Sequence, residues 1–529
     1  MTADSRRHDR LLWRLAWLAW LASIPLRLYY FGGYGLGDDP NFINTPLNFL
    51  HTGHFDLADH HTSRPGMLLP QILVFRLLGV SDFSFVLPIL VCALGTHAWT
   101  LFLTRSLLGE RAALLVSLFF LTTPFETLSA TSFVPDYIVA FWSLAAACGC
   151  WRGWRTGSRV AMAGAGAAIA CAVFTKSSAV LLFPALGLAN LLTWRSWRGW
   201  LTLWLASGVA LAAGCVFFWY LGGGPLHWLV RRADRPEGHD VTAILGYVLS
   251  LYPRYLFLRE PDFGHWMFGI AGWAALLGVV TAVGRLRSEG RRAASVVVLF
   301  GFLELLLLNF VPHKLTFHAY YSHPRIFRYL AQVSPFVYLA AAFFLEQLLQ
   351  ARVRTLRAAA VVLGVAAFAF GLYEAPLVSE PTWDATADGR VLARYFTEHR
   401  LPPPQTLQSD FWHCYRIYFL SRDGPLERRC GTFETTEDKQ RFLAGIREGY
   451  VVTGGGRVAW YSDRHWALDL TLANFAPPPT WRLLFQRDAP VKPWRREPLR
   501  VWRVEEPAPA PPASRRAAAS RPAVPSIRD

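Results

Sequence analysis

The chain has 529 residues, of which 53% are apolar and only 17% are charged. Soluble proteins carry about a quarter of charged residues, so this composition excludes an ordinary soluble globular protein and indicates a membrane protein. The formal net charge of +16 does not indicate nucleic-acid binding, because membrane proteins collect cations at their cytoplasmic surface for topological reasons.

Long uncharged runs predict about eleven membrane-spanning helices, since a bilayer core of about 30 Å needs about 20 apolar residues of helix. The first run is too long and too rich in Trp for the core of a signal peptide, which favours an uncleaved anchor. The apolar segment 67–80 is short and contains Pro70 and Arg76, which favours a helix lying at the membrane interface. The predicted spans lie near residues 11–31, 83–104, 112–130, 135–151, 160–176, 178–194, 200–222, 265–284, 293–311, 328–348 and 357–375.

Arginine residues predict the orientation of these spans. With the N-terminus in the cytoplasm, every short inner connection, from residues 6–10 to residues 352–357, carries at least two arginines. This pattern is what the positive-inside rule requires. An odd number of spans then places the C-terminus outside the cytoplasm. Because the cations are almost all Arg rather than Lys, which indicates a GC-rich coding sequence, we predict a multi-pass protein of the bacterial cytoplasmic membrane.

The first outer loop opens with two adjacent acidic residues, Asp38 and Asp39, in the sequence GLGDDPNF. Neighbouring carboxylates at a membrane surface indicate either a general-base or cation-binding site or an ordinary acidic turn. The same loop contains HTGHFDLADHH, whose His and Asp residues are candidate metal ligands without the spacing of a zinc site. We therefore predict no cofactor and no metal site, while a divalent ion stays open.

Three further ionisable residues lie in or beside the later spans. Asp136 follows Pro135 at the start of the fourth span, where capping the helix is a sufficient role. Lys176 stands between two apolar runs, where a lone Lys can simply extend to the membrane surface. Glu304 lies inside the ninth span and is a candidate site residue or the partner of a neighbouring helix.

The last short outer loop, VPHKLTFHAYYSHPRIFRYL, carries basic residues and no acid. Cations on the outer side run against the positive-inside trend, so they need another explanation. A phosphate group docking at the membrane surface is the simplest one, and anionic lipid headgroups are the alternative. The basic residues are His313, Lys314, His318, His323, Arg325 and Arg328.

From about residue 376 the chain becomes polar, and its pattern predicts a small extracytoplasmic α/β domain. Cys414 and Cys430 are the only cysteines in this part, and we predict a disulfide between them in an oxidising compartment. We predict a helix over 388–399 and extended segments at 405–409, 450–454, 481–486 and 498–504. The predicted organisation is a membrane domain 1–376 with an outer catalytic loop 32–82, an α/β domain 377–505 and a disordered Pro/Ala-rich tail 506–529.

Five motifs occur in order over about the first 350 residues: GDDPNF, RPGMLLPQILVFRLLGVSDFSFVLP, SATSFVPDYIVAFW, VFTKSSAVLLFPALGL and RIFRYLAQVSP. Together they resemble the GT-C membrane glycosyltransferases, in particular the protein O-mannosyltransferases and the bacterial lipid A aminoarabinose transferase. The sequence departs from the family pattern at two places. Ser-Ser follows Lys176 where Gly is common, and Asp39 replaces the more usual Glu.

The resemblance implies a polytopic all-α membrane domain of GT-C type that transfers a sugar from a polyprenyl-phosphate donor to a hydroxyl acceptor. The acceptor would be an envelope glycan, a lipid or a protein, and the other expected partners are membrane lipids rather than nucleic acid. The competing interpretation is a transporter or a flippase for lipid-linked sugars. Transporters place polar groups near the bilayer midplane in repeated halves, whereas here the polar groups lie at one surface.

The resemblance also implies roles for individual residues. Asp38 would be the general base, and Asp39 and Asp136 would orient the acceptor or the sugar. The donor phosphate would be held by Lys176, Lys314, Arg325 and Arg328. His60, His61 and Arg64 are additional candidates for contacts with the acceptor or the sugar.

Overall fold

The computed structural model describes residues 3–33, 39–54, 64–132, 134–192, 197–220, 252–253, 255–259, 265–288, 290–310, 312–315, 320–322, 327–399, 405–410, 414, 428–431, 436–454, 477–488 and 498–505. The chain falls into two compact units. The first comprises Met1–Val391 with Arg457–Ala467, and the second comprises Leu392–Gly456 with Leu468–Asp529. The predicted disordered tail 506–529 lies outside the described residues.

The described part of the first unit is almost entirely helical. A short hairpin, β1 (Pro312–Leu315) with β2 (Tyr320–Ser322), and two 3-10 helices, Ser177–Leu181 and Phe327–Gln332, interrupt the α-helices. The α-helices are α1 (Ala3–Tyr29), α2 (Asp39–Thr52), α3 (Pro65–Leu78), α4 (Asp82–Leu108), α5 (Glu110–Thr122), α6 (Pro124–Ser129), α7 (Asp136–Thr156), α8 (Arg159–Thr175), α9 (Leu182–Leu192), α10 (Trp197–Tyr220), α11 (Ile270–Arg285), α12 (Arg292–Phe310), α13 (Ser334–Leu349) and α14 (Arg354–Glu398).

Four helices in the described ranges are long and apolar enough to cross a membrane: Arg6–Tyr29, Asp82–Leu108, Trp197–Tyr220 and Arg354–Ser379. Each coincides with a span that the sequence predicts. Shorter apolar helices accompany them at Pro65–Leu78, Arg159–Thr175, Ser178–Gly187, Ile270–Arg285 and Ser334–Leu349. The total of about eleven spans and their orientation remain predictions.

Helix α3 carries apolar side chains on both its buried face and its exposed face. Met67, Leu68 and Phe75 are buried in the first unit, whereas Leu73 and Leu77 are 57% and 70% exposed. An exposed row of leucines is costly in water and favourable in lipid. The exposed face therefore agrees with a helix that lies at the membrane interface.

The start of α3 lies very close to the end of α8. A Cβ atom placed on Gly66 would approach the amide nitrogen of Thr175 to 2.8 Å. This separation is too short for any residue with a side chain, so glycine is what permits the approach. Thr175 directly precedes Lys176, and helix α3 therefore contacts the backbone next to a predicted phosphate ligand.

The described strands of the second unit form a five-stranded sheet with the order β4-β3-β5-β7-β6. β3 pairs in parallel with β4 and β5, while β7 pairs in antiparallel fashion with β5 and β6. The elements are β3 (Leu407–Asp410), β4 (Arg428–Gly431), α15 (Thr436–Ala444), β5 (Gly449–Thr453), β6 (Arg482–Arg487) and β7 (Leu499–Val504). Four of these five strands coincide with the predicted extended segments.

The core of the second unit lies between this sheet and the end of α14. Leu392 and Phe396 of the helix pack with Leu407, Tyr450 and Val501 of the strands. The predicted disulfide is confirmed, because Cys414 is bonded to Cys430. Cys414 is fully buried within the same apolar cluster.

The structure differs from the sequence prediction at the end of the membrane domain. The sequence suggests a span ending near residue 375 and a separate helix over 388–399, whereas α14 runs unbroken from Arg354 to Glu398. Pro376 and Pro381 lower the helix propensity of the intervening segment. Ala375 and Val378 are nevertheless buried, and this packing outweighs the local propensity. The predicted domain boundary at 376 therefore falls inside one helix.

Candidate active site

Asp136 and Lys176 form a buried ion pair. Lys176 Nζ lies 2.6 Å from Asp136 Oδ1, and the two side chains are 5% and 0% exposed. Helix α7 begins at Asp136, and α8 ends just before Lys176. A tight turn through Gly157, which adopts a φ of 70°, makes the two helices antiparallel, so the start of α7 meets the end of α8. Lys176 is therefore a buried, paired residue within the fold rather than a lone side chain that extends into solvent.

The 3-10 helix Phe327–Gln332 completes this site. Gln332 Nε2 donates to Asp136 Oδ1 at 2.5 Å and to Ser178 Oγ at 3.0 Å. Lys176 Nζ lies 3.5 Å from the centroid of the Tyr329 ring, which places the ammonium on the electron-rich ring face. We call Asp136, Lys176, Ser178, Tyr329 and Gln332 the Asp136 cluster. Sequence reasoning selected RIFRYLAQVSP for its arginines and missed Tyr329 and Gln332.

The Asp136 cluster retains unused hydrogen-bonding capacity. Within the described part of the chain, neither Asp136 Oδ2 nor Gln332 Oε1 has a hydrogen-bond partner, although both atoms are buried. Leaving a buried acceptor unsatisfied costs about 1–3 kcal/mol. The two free acceptors suit hydroxyl donors, and the Lys176 ammonium suits an anion.

A second buried polar cluster, which the sequence analysis did not anticipate, surrounds Glu126. Glu126 Oε1 accepts from Ser334 Oγ at 2.8 Å and from the Tyr338 hydroxyl at 3.2 Å. Glu126 Oε2 accepts from the Tyr137 hydroxyl at 2.9 Å, and Arg27 Nη2 lies 3.5 Å away from the same oxygen. We call these five residues the Glu126 cluster. A usable signal was present, because Arg27 and Glu126 are opposite charges within predicted membrane spans.

Hydrogen bonds from two backbone amides join the end of α1 to the segment that leads into α7. Gly33 N donates to Thr131 O at 2.8 Å, and Gly32 N donates to Thr131 Oγ1 at 3.0 Å. The chain continues from Gly33 into the loop that contains Asp38. The first outer loop therefore starts beside the segment that precedes Asp136.

The remaining predicted site residues are placed less completely. Arg64 immediately precedes α3, and its guanidinium carbon lies 5.8 Å from the centroid of the Phe42 ring. Asp39 is the first residue of α2, Lys314 lies in β1, and Arg328 lies in the 3-10 helix beside Tyr329; for these three residues the structure describes the backbone alone. Asp38, His60, His61 and Arg325 lie outside the described residues.

Comparison with known proteins decides the family resemblance. Residues 63–220 match the family model described as dolichyl-phosphate-mannose-protein mannosyltransferase. ArnT from Cupriavidus metallidurans in the apo state aligns with 94% of this chain and 98% of its own, at a TM-score of 0.57 and 16% sequence identity. The chain has the GT-C fold.

The structure of the same ArnT bound to undecaprenyl phosphate gives an equivalent match, with a TM-score of 0.56, 16% identity, and coverage of 95% of this chain and 98% of that one. A search of curated proteins found no match. The predicted resemblance to GT-C glycosyltransferases is confirmed, and these findings do not favour the transporter alternative. The range matched by the family model contains Asp136 and Lys176 of the Asp136 cluster.

Proposed function

We propose that the chain transfers a sugar from a polyprenyl-phosphate carrier to a hydroxyl acceptor at the outer face of the bacterial cytoplasmic membrane. The observation that carries this proposal is the buried Asp136 cluster, in which a carboxylate, an ammonium and an amide meet at predicted outer helix ends. ArnT, which shares the fold, has been solved with undecaprenyl phosphate bound. The description of the matching family names a second polyprenyl carrier, dolichyl phosphate.

The proposed reaction needs a base for the acceptor and cations for the leaving group. Asp38 takes the proton of the acceptor hydroxyl as its oxygen forms a bond to the anomeric carbon. The bond between that carbon and the phosphate oxygen breaks on the opposite side, and the polyprenyl phosphate leaves with the electron pair. Cationic side chains stabilise the charge that develops on the phosphate. We assign this role to Lys176, Lys314, Arg325 and Arg328.

The Asp136 cluster supports a division of labour within the site. Asp136 pairs with Lys176 in a buried position, where an ammonium without a partner would be strongly disfavoured. The ring of Tyr329 limits where the ammonium can move. The free acceptors of Asp136 and Gln332 suit the hydroxyl groups of a sugar, which agrees with an orienting role for Asp136. Asp39, His60, His61 and Arg64 remain candidates for contacts with the acceptor or the sugar.

The proposal is tested by turnover of synthetic polyprenyl-phosphate sugars by the purified protein in detergent, with candidate hydroxyl acceptors present. Asp38→Asn should express and unfold like the wild type but lose about 10²–10⁴-fold in turnover, because an amide cannot accept the proton. Asp39→Asn is the matched control, and it should lose less if Asp39 only orients a reactant.

Two outcomes would contradict the proposal. Full activity of Asp38→Asn would transfer the role of base to Asp39 or Asp136. Movement of intact lipid-linked sugar across a vesicle membrane, without release of polyprenyl phosphate, would show that the protein is a flippase and not a transferase.

A further inference from the structure

The Glu126 cluster connects four separate helices through a single carboxylate. Arg27 comes from α1, Glu126 from α6, Tyr137 from α7, and Ser334 and Tyr338 from α13. Each of the five side chains is at most 2% exposed, and Glu126, Tyr137, Ser334 and Tyr338 are completely buried. Glu126 therefore links α6 directly to α1, α7 and α13.

Two contacts of Glu126 fall next to residues of the Asp136 cluster. Tyr137 directly follows Asp136 in the first turn of α7. Ser334 begins α13 just after Gln332, which donates to Asp136. Arg27 lies in the last turn of α1, which leads through Gly33 to the loop of Asp38. One carboxylate thus contacts two segments that carry residues of the Asp136 cluster, and it pairs with α1 as well.

Stability alone is a weak reason for this arrangement. A buried ion pair costs so much desolvation that apolar residues of similar volume often stabilise a protein equally well. Oriented hydrogen bonds to one carboxylate do something that apolar packing does not, because they fix the direction and the distance of each donor. The functional use of such a cluster is geometric.

We propose that Glu126 is a positioning residue, which sets the relative placement of Asp136 and Gln332 through its hydrogen bonds to Tyr137, Ser334 and Tyr338, without touching the reactants. This inference rests on the proposed transferase function. Small displacements of reacting groups are costly, since a shift of about 1 Å can lower a rate by about 100-fold. Removing one hydrogen bond to Glu126 should therefore slow sugar transfer and leave binding of the donor phosphate by the cationic side chains largely unchanged.

Removal of Glu126 itself is a poor test, because it would leave the Arg27 charge buried and unpaired and the variant would risk failing to fold. Ser334→Ala and Tyr137→Phe each remove one hydrogen bond and keep the ion pair. Ser117→Ala is the matched control for Ser334→Ala. Ser117 is also fully buried, and its Oγ donates to Ala16 O at 2.8 Å and lies 2.9 Å from His97 Nε2. Ser117 joins α5 to α1 and α4, but it holds no proposed site segment.

The experiment compares kcat and the donor KM of the full-length variants, together with their thermal stability. We expect Ser334→Ala and Tyr137→Phe to lower kcat by about 10-fold to 100-fold, with the donor KM changed by less than about threefold. Ser117→Ala should lose a similar amount of stability and keep kcat within about twofold of the wild type. Equal kcat values for Ser334→Ala and Ser117→Ala would show that Glu126 is merely structural and overturn the inference.

A second measurement separates this inference from the proposed function. Hydrogen exchange should increase in peptides covering both 127–139 and 327–338 in Ser334→Ala, and in neither of them in Ser117→Ala. This pattern would support positioning by Glu126 even if the wild type consumed no polyprenyl-phosphate sugar, in which case the proposed function alone would fail. Unchanged exchange in both segments of Ser334→Ala would overturn the inference whatever the enzyme's activity.

Discussion

Replacing Lys176 by Met should destabilise the protein more than replacing Lys176 and Asp136 together. The single substitution leaves the Asp136 carboxylate buried at 0% exposure without its cation. Removing one partner of a buried pair costs about 3–5 kcal/mol, because an uncompensated charge stays in the interior. Gln332 Nε2 still donates to Asp136 Oδ1, so we expect a loss near the lower limit, ~3 kcal/mol.

The double variant Lys176→Met with Asp136→Asn removes that charge. The side-chain amide oxygen that Asp136→Asn introduces can still accept from Gln332, so the double variant should regain ~2 kcal/mol relative to the single one. Contact of the ammonium with the Tyr329 ring is lost in both variants and therefore cancels in this comparison. The result would be a strongly non-additive double-mutant cycle.

Unfolding in mixed micelles of detergent and SDS, followed by Trp fluorescence, measures the four corners of this cycle. Donor turnover measured in parallel should fall in every variant that lacks Lys176, since each loses positive charge from the proposed phosphate site. If the two single substitutions add to within about 0.5 kcal/mol, the buried pair is not energetically coupled and the reasoning fails.

Two further predictions concern topology and the disulfide. The topology is tested with an impermeant thiol reagent on intact cells, in a background with the five free cysteines replaced. The reagent should label Cys introduced at the exposed Glu398 and not Cys introduced at Ser288, which lies in a basic connection predicted to be cytoplasmic. Equal labelling of the two positions would contradict the predicted orientation. Peptide mapping without reductant should recover Cys414 linked to Cys430. Cys430→Ser should destabilise the second unit by ~3 kcal/mol. Two free thiols in protein from native membranes would refute the bridge.

Part of the candidate site could be read from the sequence because isolated charges in apolar surroundings are conspicuous. Asp136 and Lys176 stood at the ends of two apolar runs joined by a short turn, and a helical hairpin brings such ends together. Gln332 is neutral and lies 196 positions away from Asp136, so no local pattern connects them. Glu126 lies inside a run that the sequence analysis assigns to a membrane span, and its pairing with Arg27 of the first span was not predicted.

The fold shows the same division between local and long-range information. β5 and β7 were predictable because apolar residues dominate them, and in the structure they are largely buried. β4 has the sequence RRCG, which contains no strand pattern; its extended conformation depends on parallel pairing with β3. The continuity of α14 through Pro376 and Pro381 likewise depends on packing that propensity does not encode.

The close approach at Gly66 has a practical consequence for experiments in different lipids. Helix α3 presents leucines outward and its start contacts the backbone of Thr175. If α3 lies at the membrane interface, as we predict, a change in its depth would be transmitted to the residue that precedes Lys176. Bilayers that differ by a few Å in thickness would draw α3 to different depths. Catalytic constants measured in short-chain and long-chain lipids should therefore differ for this protein, and a methyl group added at Gly66 should mimic such a difference in a single lipid.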